Sequence, residues 1–127
     1  MHRRFARPLL IAVVIVLAGC TPAARGPEEV QVTLSEFKFQ SSRTSFSAAV
    51  PYRFVLKNVG NVAHEWMVMP AGERDEAKAL AEVHERELGS GRSVTKEFTF
   101  PRAGNYEFAC HVPGHYEGGM VLPIVVN

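Results

Sequence analysis

The stretch from Tyr106 to Met120, YEFACHVPGHYEGGM, limits what this chain can fold into more than any other. It sets a thiol, two imidazoles and a thioether (Cys110, His111, His115 and Met120) within eleven residues. Tyr106, Phe108 and Cys110 alternate with Glu107 and Ala109, so the Cys110 sulfur should emerge at the end of a strand and point inward. Val112-Pro113-Gly114 then turns the chain, because proline fixes φ and glycine takes φ values that other residues avoid. That turn returns His115 to the side of Cys110. Gly118 and Gly119 permit a second reversal, which brings Met120 to the same place as the chain enters the apolar run Val121 to Val126.

Soft sulfur donors with imidazole suit copper, and a trigonal set of two His and one Cys with a weak axial Met is the donor set of a blue copper electron-transfer centre. Such a set needs one more His, for which His64 is the candidate. Three donors on one loop give a stiff site. Zinc is the competing metal, but a structural zinc site prefers a closed tetrahedron of Cys and His, and a thioether is a poor ligand for it. The donors fill the coordination, and no second cluster of His or carboxylates offers a place for a substrate. The pattern therefore points away from an enzyme.

The spacing C-x4-H-x4-M, with a His upstream, resembles the copper loop of the cupredoxins, and is similar to the auracyanin and rusticyanin type more than to plastocyanin. The resemblance covers most of the chain after Glu28. It implies an all-β Greek-key sandwich holding one type 1 copper ion, with His64, Cys110 and His115 as equatorial ligands and Met120 as the axial one. It also implies an apolar patch around the outer edge of His115, here supplied by Val112, Pro113, Gly114 and Tyr116, where redox protein partners dock transiently on a monomer. Glu65 departs from the pattern, since the family usually carries an Asn there that ties the two ligand loops together. The Glu65 backbone N–H is expected to reach the Cys110 sulfur and help tune the potential. The segments NVGNVAHEWMVMP and CHVPGHYEGGM are also similar to periplasmic cupredoxins of copper tolerance. The expected function is an electron carrier cycling Cu(I)/Cu(II), and the alternative is a periplasmic protein that sequesters or delivers copper for tolerance.

The beginning of the chain carries a different signal. HRRFAR is basic, Leu9 to Ala18 is an apolar run too short to span a bilayer, and Leu17-Ala18-Gly19-Cys20 closes it. LAGC resembles the bacterial lipoprotein lipobox, which implies cleavage before Cys20, lipid on its sulfur, and anchorage to a membrane facing the periplasm or the cell exterior. The expected organisation is a signal peptide over 1–19, a lipidated N-terminus and linker over 20–27 (with TPAARGP of linker composition), and the cupredoxin domain over 28–127. Two Cys in an exported chain ordinarily suggest a disulfide, but Cys20 and Cys110 each have a motif of their own, so none is expected. Setting aside Arg3, Arg4 and Arg7 leaves 11 basic against 13 acidic residues, a net charge of −2. With no basic patch interleaved with aromatics, nucleic acid is not an expected partner.

The remaining chain alternates like a β-sandwich. Val30, Val32 and Leu34 predict a first strand, with Phe37 and Phe39 continuing its apolar face. Phe46 to Val50 suggests a short edge segment before Pro51, and Phe54 and Leu56 a further strand ending at the turn Asn58-Val59-Gly60-Asn61. A buried strand is predicted over His64 to Met69, with Trp66 packing and Met67 and Met69 as core filler. The period then changes: Ala77, Leu80, Ala81, Val83, His84 and Leu88 fall near helical spacing, early acids suit a helix start, and Gly89 a stop. One helix over about 73–88 is therefore expected to cover one side of the sandwich. Ser93 to Phe100 alternates again. His84 and His111 are assigned no metal.

Overall fold

The structure, a computed structural model, describes residues 26–127, so the signal peptide, Cys20 and most of the linker lie outside the described residues. Among the described residues, nine strands form: β1 (Glu28–Ser35), β2 (Lys38–Ser41), β3 (Ser45–Phe46), β4 (Pro51–Asn58), β5 (Trp66–Pro70), β6 (Ala81–Val83), β7 (Ser93–Thr99), β8 (Gly104–Ala109) and β9 (Val121–Val126). They make two sheets, ordered β2-β1-β4-β7 and β3-β9-β8-β5-β6. The β1–β4 and β3–β9 pairs are parallel and the others antiparallel.

Alternation explains the first sheet. Val30, Val32 and Leu34 of β1, and Tyr52, Phe54 and Leu56 of β4, face the second sheet and are buried, while their neighbours face solvent. The second sheet answers with Trp66 and Val68 of β5, Phe108 of β8, and Ile124 and Val126 of β9. Phe54 is the hub of an aromatic cluster, with ring centroids 5.1 Å from Trp66, 5.7 Å from Phe108 and 5.8 Å from Phe46. Each buried aromatic of this kind contributes roughly 1.5–3 kcal/mol by leaving water.

The helix expected over 73–88 does not form. Only Glu76–Lys78 makes a single 3-10 turn, opened by the Asp75 carboxylate, which accepts from the Ala77 N–H. The chain then extends into β6, where Ala81, Glu82 and Val83 pair with Val68, Met67 and Trp66. The Leu80 N–H also donates to the Val68 carbonyl at 2.8 Å. Without this pairing, β5 would present a row of unmatched backbone groups at the sheet edge, and satisfying them outweighs weak helical propensity. Leu80, Val83 and Leu88 fit a helical period by coincidence: Val83 and Leu88 are buried in the main core and Leu80 packs against it, but from β6 and the loops beside it rather than from one face of a helix.

Two smaller expectations also shift. β5 starts at Trp66, so His64 lies in the segment that leads into the strand rather than within it. Phe37 does not continue the apolar face. It sits in the two-residue turn between β1 and β2 at φ 57 and is 49% exposed.

Candidate metal centre

Two connections at one end of the sandwich bring the site together. The first runs from β4 to β5 and delivers His64. Asn58 occupies an inward-facing position of β4, and its amide donates to the carbonyls of Val62 at 2.8 Å and Leu88 at 2.7 Å while its oxygen accepts from the Gly60 N–H. The Leu88 carbonyl accepts from the His64 N–H as well. One fully buried amide thereby fixes the whole loop, and with it the His64 ring. The second connection runs from β8 to β9. Here the Cys110 N–H donates to the Met120 carbonyl at 3.2 Å, the Met120 N–H to the His115 carbonyl at 3.0 Å, and the His115 N–H to the Val112 carbonyl at 2.9 Å. Gly119 turns the chain at φ 100, a conformation that favours glycine.

His64, Cys110 and His115 converge, with their donor atoms all within 4.8 Å of one another. The two Nδ1 atoms face each other at 3.2 Å, and the Cys110 sulfur lies 3.3 Å from the His115 Nδ1. The Glu65 N–H donates to the same sulfur at 3.5 Å. His64, Cys110 and Met120 are all fully buried, and Met120 belongs to the same packed cluster as Cys110. Burial pushes the Cys110 thiol up to about 11, and desolvation followed by the nearby His115 holds His64 below the usual imidazole range. The lowered His64 pKa favours the neutral imidazole that a metal requires, and a cation taking the place of the Cys110 proton would make that residue a thiolate.

The donor set fits copper. Two imidazole nitrogens facing each other beside a thiol, with no carboxylate oxygen between them, suit a soft cation better than a hard one. Glu65 fits as well. Its carboxylate oxygen accepts the His111 N–H at 2.6 Å, so the departure from Asn still leaves a side chain tying the two ligand loops together. Burial raises the Glu65 carboxyl above the usual range.

Two residues take roles at the site that their sequence patterns do not announce. Asn58 was visible as part of a turn, but its place in the inward phase of an otherwise apolar strand was the available signal of a structural role. Phe37 has the pattern of a core residue, yet its ring stands edge-on to His115 at 5.5 Å and lies where a side chain on Gly118 would strike it. The Glu36 carboxylate accepts the Asn61 N–H, which pins this turn against the His64 loop.

A two-sheet sandwich with two His, a Cys and a buried Met gathered at one end defines a mononuclear copper-binding protein. The family model for copper binding proteins of the plastocyanin/azurin type matches residues 28–127, and the chain belongs to that family. It is 30% identical over 115 residues to the copper-resistant cuproprotein CopI of Rubrivivax gelatinosus, covering 83% of this chain and 70% of that protein. In structure it is similar to the reduced auracyanin of Roseiflexus castenholzii, with a TM-score of 0.64 at 23% identity over 80% of this chain and 99% of that one. It is similar also to reduced rusticyanin, with a TM-score of 0.57 at 19% identity over 81% and 82% of the two chains. Both likenesses show the fold.

Proposed function

We propose that this chain is an exported, lipid-anchored protein of copper tolerance, holding one copper ion with His64, Cys110 and His115 as equatorial donors and Met120 as the axial donor. The observation that carries the copper reading is the convergence of three donors, with the His115 Nδ1 3.2 Å from the His64 Nδ1 and 3.3 Å from the Cys110 sulfur, where the Cys110–Met120 loop, locked by its own backbone hydrogen bonds, meets the His64 loop. The role in tolerance is supported by the name of the Rubrivivax relative. Bound copper supplies one-electron chemistry between Cu(I) and Cu(II). The chain's part is to hold His64 and His115 in one arrangement, to donate the Glu65 N–H to the Cys110 sulfur, and to keep water from the buried side of the site. His115 is half-buried, with Pro113 and Gly114 exposed beside it and the Phe37 ring against it, which suits transient docking of a redox protein at that edge.

A second reading, an electron carrier between redox proteins, is favoured by the same locked loop, because donors that keep their places in both oxidation states reorganise little. A strain lacking the chain separates the two. Tolerance predicts growth failure in excess copper with normal electron flux in membranes, and the reverse result would overturn it. Met120→Gln replaces a soft donor with a harder one and should lower the potential, yet tolerance should follow copper content rather than potential. The anchor has its own test: Cys20→Ser should move the protein from the membrane fraction to the soluble one, and a mature N-terminus other than Cys20 would refute the lipobox reading.

A further inference from the structure

Phe37 occupies a place that the turn itself does not favour for it. It fills the second central position of the tight turn joining β1 to β2, at φ 57, a conformation that glycine or asparagine takes easily and phenylalanine takes only under strain. Burial does not offset that strain, because the residue is 49% exposed. A residue other than glycine persists in such a conformation when its surroundings hold it there, and strain of this kind gathers at active sites and ligand clamps. Here the surroundings belong to the metal centre. The Glu36 carboxylate accepts the Asn61 N–H and so fastens the turn to the loop that delivers His64. A Cβ on Gly60, in that same loop, would lie 2.7 Å from the Glu36 Oε1, and one on Gly118, in the loop of His115, would strike the Phe37 ring before anything else. Neither glycine is among those with positive φ, so what both supply is room. Both ligand loops are bare of side chains where the turn rests on them.

The ring so held reaches one of the donors. Its centroid lies 5.5 Å from that of His115, with the two planes at 74°, the edge-to-face arrangement that aromatic pairs favour. His64, Cys110 and Met120 are fully buried, whereas His115 is only half-buried, so among the four it is the donor with a face at the surface. The Phe37 ring takes the place of water against it. We propose that Phe37 is a positioning residue of the metal centre: its ring steadies the His115 imidazole beside His64 and Cys110 and shields it from water, and thereby slows the exchange of bound copper.

The slowing of exchange rests on the copper reading of that centre; the shielding of His115 does not. Mixed anaerobically with excess bicinchoninate, the Cu(I)-loaded Phe37→Ala chain should give up its metal roughly three- to tenfold faster than the unaltered chain, as the loss of one aromatic pair predicts. In the metal-free chain, acylation of His115 by diethyl pyrocarbonate, located by peptide mapping, should quicken by a similar factor. Phe37→Tyr keeps the ring and should leave both rates near those of the unaltered chain. Phe37→Gly removes ring and strain together, so both rates should match those of Phe37→Ala while the metal-free chain unfolds in denaturant no more readily than before. Unchanged rates in Phe37→Ala and Phe37→Gly would overturn the proposal. Faster rates in Phe37→Gly together with a lowered unfolding midpoint would overturn it as well, by reducing Phe37 to a support of the turn. An unaltered chain that takes up no copper would instead refute the copper reading, and the acylation rates would still decide whether Phe37 shields His115.

Discussion

Cys110→Ser is expected to abolish the intense visible absorption of the oxidised copper protein and to weaken copper binding by more than the roughly 10–100-fold that loss of an outer-shell partner costs. The thiol is fully buried, takes the N–H of Glu65, and lies 3.3 Å from His115. A serine hydroxyl in that place is a harder donor and does not ionise in the same range, so neither the thiolate-to-copper transition nor the soft ligand survives. The spectrum of the copper-loaded variant decides the matter, because a retained strong band would mean that Cys110 is not a ligand. The backbone should be little altered, since the bonds that lock the loop are made by main-chain atoms.

Phe54→Ala is expected to destabilise the folded domain by about 3–5 kcal/mol. Phe54 is fully buried, with the rings of Trp66, Phe108 and Phe46 packed round it. Removing it opens a cavity between the layers that close packing cannot readily fill. Whole-domain stabilities of roughly 5–15 kcal/mol make such a loss a large fraction of the total. Denaturant unfolding of the metal-free variant would measure it, and a change below about 1 kcal/mol would show that the sandwich tolerates the void.

The site was legible because its donors are short-range in sequence. Cys110, His115 and Met120 lie on one loop whose glycines and proline announce its turns, and His64 was the one distant ligand to be found. The strands were legible for a similar reason: β1 and β4 each bury one face, and burial on one face leaves a period of two in the residues. The failures fall where pairing partners decide. Nothing local in Ala81-Glu82-Val83 tells that β5 has an open edge, and a few apolar residues at mixed spacing fit a helix as well as a loop followed by a short strand. Phe37 failed differently. An aromatic residue is ordinarily core, and its place beside His115 follows from a two-residue turn carried to the metal end of the sandwich by the parallel pairing of β1 with β4.

β9 is the last strand in sequence, yet it lies inside its sheet, between β3 and β8. Met120 stands immediately before it, and the Asn127 N–H at its far end donates to the Phe46 carbonyl. The second layer therefore cannot close until β9 has been delivered, whether from a ribosome or through a membrane pore. Until β9 arrives, Phe46 has no strand to pair with, β8 has a bare side, and the Cys110 N–H lacks its Met120 acceptor. Copper capture is thereby timed by chain topology: a partly delivered chain can offer a thiol and imidazoles, but the enclosed site comes into being only when β9 slides into place.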